Sequence, residues 1–274
     1  MTNPLSQYFR QPSIYIKLPS KGQFYPIGAL NMPANNELPV LPMTAIDEIA
    51  YRTPDGLYNG SSTVNVIQSC CPHIKDAWNM PAMDLDTVLI GIRIASYGHE
   101  MEISTTCPNC GTEADHSLDL RSVLDQMAPV DYSQPLHFGD LTVFFTPMSF
   151  RQINANSAIQ FEEQKLLSIL PDSEIEQEQK TKMISEAFKK ITDMTVEALT
   201  HSIRAIHTPS AQVNEQAHIL EFLRNCDRTI FEKIRDRIIE LKSQTEIKPL
   251  HFKCANCNHE YDQAFSMEMS NFFG

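Results

Sequence analysis

Four cysteines stand in two pairs, Cys107-Pro108-Asn109-Cys110 and Cys254-Ala255-Asn256-Cys257. Each pair has the spacing at which two thiolates from one tight turn reach a single metal ion. Zinc takes four tetrahedral ligands at zinc–sulfur distances of about 2.3 Å, so two such turns complete its shell. Gly111 follows the first pair and Asn258 the second, and these are the residue types that best tolerate the left-handed backbone a knuckle needs. A zinc ribbon ordinarily separates its pairs by roughly 15–20 residues, whereas here most of the second half of the chain intervenes. We expect the two turns to meet in space and hold one structural zinc per chain through Cys107, Cys110, Cys254 and Cys257. Four sulfurs leave no open position for a reactive water, which argues against a hydrolytic metal.

Three other readings of the same residues remain open. Two separate ions would each need completing by a local histidine, His99 or His116 for one and His251 or His259 for the other. A redox C-x-x-C needs a helix N-terminus to lower a thiol pKa, and these pairs lie between alternating, strand-like runs. Knuckles that have lost their metal are the third. The remaining cysteines, Cys70, Cys71 and Cys226, sit in mostly apolar, helix-like contexts and read as small buried thiols. A total of seven, with two pairs at C-x-x-C spacing, fits a reducing compartment better than a disulfide framework.

The elements that must carry the knuckles are visible as alternation. Glu100–Thr106 alternates at period two and runs into the first pair, residues 116–120 alternate behind it, and residues 250–253 and 261–269 flank the second pair in the same way. Further upstream, residues 14–26 resemble a short strand broken at Pro19, within a Pro- and Gly-rich opening that we read as an extended arm over residues 1–37. Thr44 with Asp47, and Ser149 with Gln152, are capping-box starts for helices, each preceded by Pro-Met and a strand-like run. Asp84 or Asp86 can cap a helix to about Ser96, with Gly98 placed to stop it. Leu136–Phe138, a Gly139-Asp140 turn and residues 141–146 form a hairpin pattern. Residues 195–206 and 212–242 read as helical, with an extra helical insert around 160–190. We therefore expect an α+β protein of two diverged halves, residues 38–128 and 129–274, each ending on a knuckle and joined by the shared four-cysteine site.

Composition narrows the function. A chain of 274 residues with 42% hydrophobic content can bury a real core, and its net charge of -12 disfavours a broad grip on nucleic acid. No apolar run approaches the roughly 20 residues that span a bilayer, and the opening residues lack the order of a secretory signal, so we expect no membrane partner. There is no phosphate-cradling Gly-rich loop, no H-E-x-x-H and no G-x-S-x-G, and we expect no enzymatic activity. The nine histidines are scattered singly. The terminus, with Phe272 and Phe273, is unusually apolar for a chain end; the pair either packs back on the protein or anchors a partner.

The segments L-P-S-K-G-Q-F-Y-P, L-P-V-L-P-M-T-A-I-D-E, L-I-G-I-R-I-A-S-Y-G-H-E-M-E-I-S-T-T-C-P-N-C-G and the terminal F-F-G resemble the baseplate hub and hub-assembly proteins of T-even-like contractile phage tails. The likeness is closer in the first half than in the second. It implies a non-enzymatic hub subunit or assembly chaperone that binds other tail or baseplate hub proteins. Its place would be the host cytoplasm during assembly and, if it stays in the particle, the virion tail baseplate. The metal is argued from the cysteines and is not carried by the resemblance. From another class, a zinc-ribbon nucleic-acid-binding regulator would suit the knuckles but not the acidic charge.

Overall fold

The structure is a computed structural model that describes residues 3–52, 60–169 and 177–265. In chain order the described elements are β1 (Ile14–Ile16), β2 (Leu38–Val40), α1 (Ala45–Tyr51), α2 (Ser61–Cys70), α3 (Leu85–Tyr97), β3 (Glu100–Thr106), β4 (Glu113–Asp119) and α4 (Leu120–Gln126). There follow β5 (Leu136–Phe138), β6 (Leu141–Phe145), α5 (Phe150–Ile169), α6 (Gln177–His201), β7 (Ile203–His207) and β8 (Gln212–Val213). The chain continues with α7 (Gln216–Asn225), α8 (Arg228–Ser243), β9 (Leu250–Lys253) and β10 (Glu260–Gln263). Helices and small antiparallel sheets are thus mixed, as the α+β expectation required. Two compact units result: Met1–Ala77, Met83–Pro129 and Thr245–Gly274 form the first, Trp78–Ala82 and Val130–Gln244 the second.

In the first unit the β1/β2 ribbon pairs Ile14 with Val40 and Ile16 with Leu38, and buries Ile16, Leu38 and Val40 against α3. Gly91 in mid-helix makes that approach possible, because a Cβ there would lie 2.9 Å from Ile16 Cγ2. The start of α1 is the expected capping box: Asp47 N donates to Thr44 Oγ1 at 3.2 Å, and Thr44 N donates to Asp47 Oδ2 at 2.8 Å. The end of α3 is Gly98 at φ 88°, also as expected.

Asp84 does stand at the N-cap position of α3, but its carboxylate makes no capping bond. It is wholly buried and instead accepts from Ser20 N at 2.8 Å, Ser20 Oγ at 2.5 Å and Tyr25 Oη at 2.9 Å. The L-P-S-K-G-Q-F-Y-P segment is thereby tied to the helix. Arg10 ties the segment before it, donating to Pro42 O, Asp47 Oδ2, Ser69 O and Ser69 Oγ at 2.6 to 3.0 Å.

The second unit is built on one antiparallel sheet of order β5-β6-β7-β8. Gly139 at φ 54° turns β5 into β6, as the Gly-Asp pair predicts. Ser149 and Gln152 cap α5: Ser149 N donates to Gln152 Oε1 at 2.8 Å and Gln152 N to Ser149 Oγ at 3.4 Å. Val143, Phe145, Ile203, Ile206, Ile219 and Ile234 form the centre of its core. Two expectations need correcting here. Residues 195–206 are not one helix, because α6 ends at His201 and Ile-Arg-Ala-Ile-His forms a strand against β6; its alternation and β-branched residues suit an interior strand once a neighbour is available. Residues 212–242 are likewise divided, since Asp227 begins a second helix by accepting from Thr229 N and Ile230 N.

Candidate metal centre

Both cysteine pairs lie in the first unit, at the tips of the β3/β4 and β9/β10 hairpins. The β3/β4 register closes on Thr106 opposite Glu113, and β9/β10 closes on Lys253 opposite Glu260. The two tips then repeat one backbone pattern. Cys107 N donates to Thr112 O and Gly111 N to Cys107 O, each at 2.9 Å; Cys254 N donates to His259 O and Asn258 N to Cys254 O, each also at 2.9 Å. Gly111 at φ 69° and Asn258 at φ 57° occupy the left-handed positions assigned to them.

The turns bring all four sulfurs within 4.8 Å of one another. Cys107 Sγ lies 3.7 Å from Cys257 Sγ, and Cys110 Sγ 3.6 Å from Cys254 Sγ. A disulfide would require about 2.05 Å, and all seven cysteines are free. A tetrahedron with zinc–sulfur bonds of about 2.3 Å has edges of roughly 3.8 Å, so the donor set and its spacing fit a closed tetrathiolate site. Cys107 and Cys254 are buried, Cys257 is half-buried and Cys110 is exposed.

The hairpins also clasp each other beneath the sulfurs. Thr105 Oγ1 and Tyr261 Oη share a buried hydrogen bond of 2.8 Å, and the His116 ring packs on Phe252 with centroids 4.4 Å apart. Cys107, Cys254 and Tyr261, with Phe252 and Cys257 against them, form a small core of their own.

Hydrogen bonds and burial divide the thiols electrostatically. Burial pushes Cys107 up to about 11. Hydrogen bonding from Thr112 pulls Cys110 down to about 6, and the Asn109 amide lowers Cys257. Thr112 Oγ1 lies 3.2 Å from Cys110 Sγ and is the donor once that sulfur is ionised.

The histidines considered as alternative ligands have other surroundings. His251 Nδ1 lies 2.9 Å from Asp262 Oδ1, His259 stacks on Tyr261, and none of the four, His99 included, joins a group of three or more ligating side chains among the described residues. Among the described residues the four cysteines are the group able to hold a metal. Phe272 and Phe273 lie outside the described residues. Cys70 and Cys71 are buried, as read from the sequence, and Cys226 is half-buried.

Sequence reasoning missed the asparagines. Asn109 Nδ2 donates to Cys257 Sγ at 3.5 Å, across to the other knuckle, and Asn256 Nδ2 reaches back to Cys110 Sγ at 3.8 Å and to Thr112 Oγ1 at 3.1 Å. The available signal was the shared C-x-N-C pattern of the two pairs.

No helix of the described residues is long and apolar enough to cross a membrane. No curated protein and no solved structure matches the chain. The family model described as T4 bacteriophage base plate protein matches residues 52–274, a stretch that contains both knuckles, all of the second unit and most of the first. The chain belongs to the T4 bacteriophage base plate protein family.

Proposed function

We propose that this protein is a non-enzymatic component of the tail baseplate hub, either a hub subunit or a chaperone of hub assembly, whose two knuckle hairpins are joined by one structural zinc. The observation that carries the reading is the family match across 52–274, which takes in the four converging cysteines. The zinc reading is supported by the sulfur spacing and by a donor set of four thiolates, which closes the coordination shell and leaves the ion a folding role. Its partners are other baseplate proteins, met in the host cytoplasm during assembly. A chain of net charge -12 is poorly suited to nucleic acid.

Two measurements on the purified full chain test this. Elemental analysis should give one zinc per chain, and a ratio near zero or two overturns the shared site. Capture from a phage lysate should recover other baseplate components; recovery of nucleic acid in their place, with salt-sensitive binding, would favour the regulator reading instead.

A further inference from the structure

A tetrathiolate zinc carries a net charge of about −2, which must be met either by nearby cations or by hydrogen bonds to sulfur. The side-chain donors on these sulfurs, among the described residues, are neutral: the Asn109 amide on Cys257, and the Asn256 amide and Thr112 hydroxyl on Cys110. They fall on the two outer sulfurs, Cys110 and Cys257, and not on the buried Cys107 and Cys254. Each asparagine stands immediately before the second cysteine of its own knuckle, yet it serves the second cysteine of the other. Asn256 also donates to Thr112 Oγ1 at 3.1 Å, which orients that hydroxyl toward Cys110.

We infer that Asn109 and Asn256 are reciprocal positioning residues of the metal site, each shielding the outermost sulfur of the opposite knuckle and so setting how tightly the metal is held and how slowly its thiolates react. This rests on the zinc reading above. A hydrogen bond withdraws charge from a thiolate, which lowers its nucleophilicity and steadies its bond to the metal; partners of this kind are worth roughly 10–100-fold in metal affinity. Because the donors cross between hairpins, they act only when both knuckles are assembled.

The test begins with the zinc content of the unaltered full chain, since a chain without zinc overturns this inference along with the reading it rests on. On zinc-loaded protein, limiting iodoacetamide followed by mass spectrometry reports which cysteine is alkylated. Asn109→Ala should speed labelling of Cys257 about 10-fold and leave Cys110 within about 2-fold, and Asn256→Ala should do the reverse. Cobalt-substituted protein should show its sulfur-to-metal charge-transfer band moved to longer wavelength in both variants, a change that mere loosening of a turn does not dictate. Both asparagines are exposed, so alanine removes little packing. Should an alanine variant fail to fold, Asn109→Asp and Asn256→Asp keep the side-chain shape while removing the donor, and the same crossed pattern is expected. If the unaltered chain holds zinc and the variants label and absorb as it does, or if the accelerated cysteine lies in the mutated knuckle itself, the inference is wrong and the zinc reading stands.

Discussion

The two units hold themselves together by different means. The second is drawn largely from one continuous stretch, Val130–Gln244, and its described residues close around an apolar core between a four-stranded sheet and its helices. The first is gathered from three stretches, and its described strands form three separate two-stranded ribbons. An isolated two-stranded ribbon is marginal in water. The first unit packs its β1/β2 ribbon on α3 and adds point fasteners between segments far apart in sequence: Arg10 on Ser69 and Asp47, Asp84 on Ser20 and Tyr25, and the four sulfurs at the hairpin tips. Both units bury apolar side chains, Ile67, Leu89, Ile90 and Ile92 in the first and Val143, Phe145, Ile203 and Ile206 in the second; where segments distant in sequence must also be held in register, the first unit adds polar and sulfur contacts to that packing.

That contrast is best broken at the cysteines. Chelation, or Cys107→Ser, should release both knuckle hairpins together, because a metal shared between distant segments is folding free energy for each of them, on the order of 10 kcal/mol for structural zinc. Hydrogen exchange should show β3/β4 and β9/β10 losing protection at once while β6 and β7 keep theirs. Loosening of only the mutated hairpin would contradict sharing.

The converse change is Phe145→Ala. Phe145 is fully buried in the second unit's core, and its loss should cost about 3–5 kcal/mol. Denaturant unfolding measures the cost, and zinc content should be unchanged. Metal lost in step with this core would mean that the two units do not differ as described.

Asp84 tests the polar fasteners. Asp84→Ala strands the buried donors of Ser20 and the hydroxyl of Tyr25, for a loss of about 3 kcal/mol. The same carboxyl makes stability depend on pH. Burial pushes it up to about 6 in the folded chain against an ordinary value of 3.8. The folded state therefore binds the proton more tightly than the unfolded one. The resulting stabilisation is fully present below pH about 4, falls as pH rises, and is gone above about 6. Asp86 is raised to about 6 as well, again mainly by burial. Melting curves of the native chain and Asp84→Asn between pH 4 and 8 isolate the Asp84 share, since the variant lacks it; parallel curves would remove Asp84 from the account.

The smallest effect is expected at Thr44, which is exposed and bonds within its own helix start. Thr44→Ala should lower stability by about 1 kcal/mol. Ser149→Ala should do about the same in the second unit, so the comparison disappears at helix caps, which serve each unit alike. A melting shift much larger than this would mean that losing the cap also loosens the Arg10–Asp47 contact.

How much of this could be read in advance depended on distance along the chain. The caps at Thr44 and Ser149, the stop at Gly98, the Gly139 turn and the strands around the cysteines were all visible, because each is fixed by residues within a turn or two of one another. The Ile203–His207 strand was not, because its short alternating stretch follows a long helix and becomes a strand only by pairing with β6. The start of α8 at Asp227 was visible in principle, as an N-cap residue between two helical patterns. Of the two candidate caps, Asp84 and Asp86, it is Asp84 that stands at the N-cap position of α3, yet its side chain does not cap, since Ser20 and Tyr25 take its oxygens from more than fifty positions away.

The residue types by themselves determined that two C-x-x-C turns could bind a tetrahedral metal, and that Gly111 and Asn258 could close those turns, since backbone dihedrals and bite distances are local properties. Only the tertiary structure decided that the two turns meet, that their sulfurs stand at tetrahedral spacing, and that each asparagine serves the opposite knuckle. Those are relations between segments separated by almost the whole second unit, and they exist only once a folded chain has brought its last ribbon back to its first half.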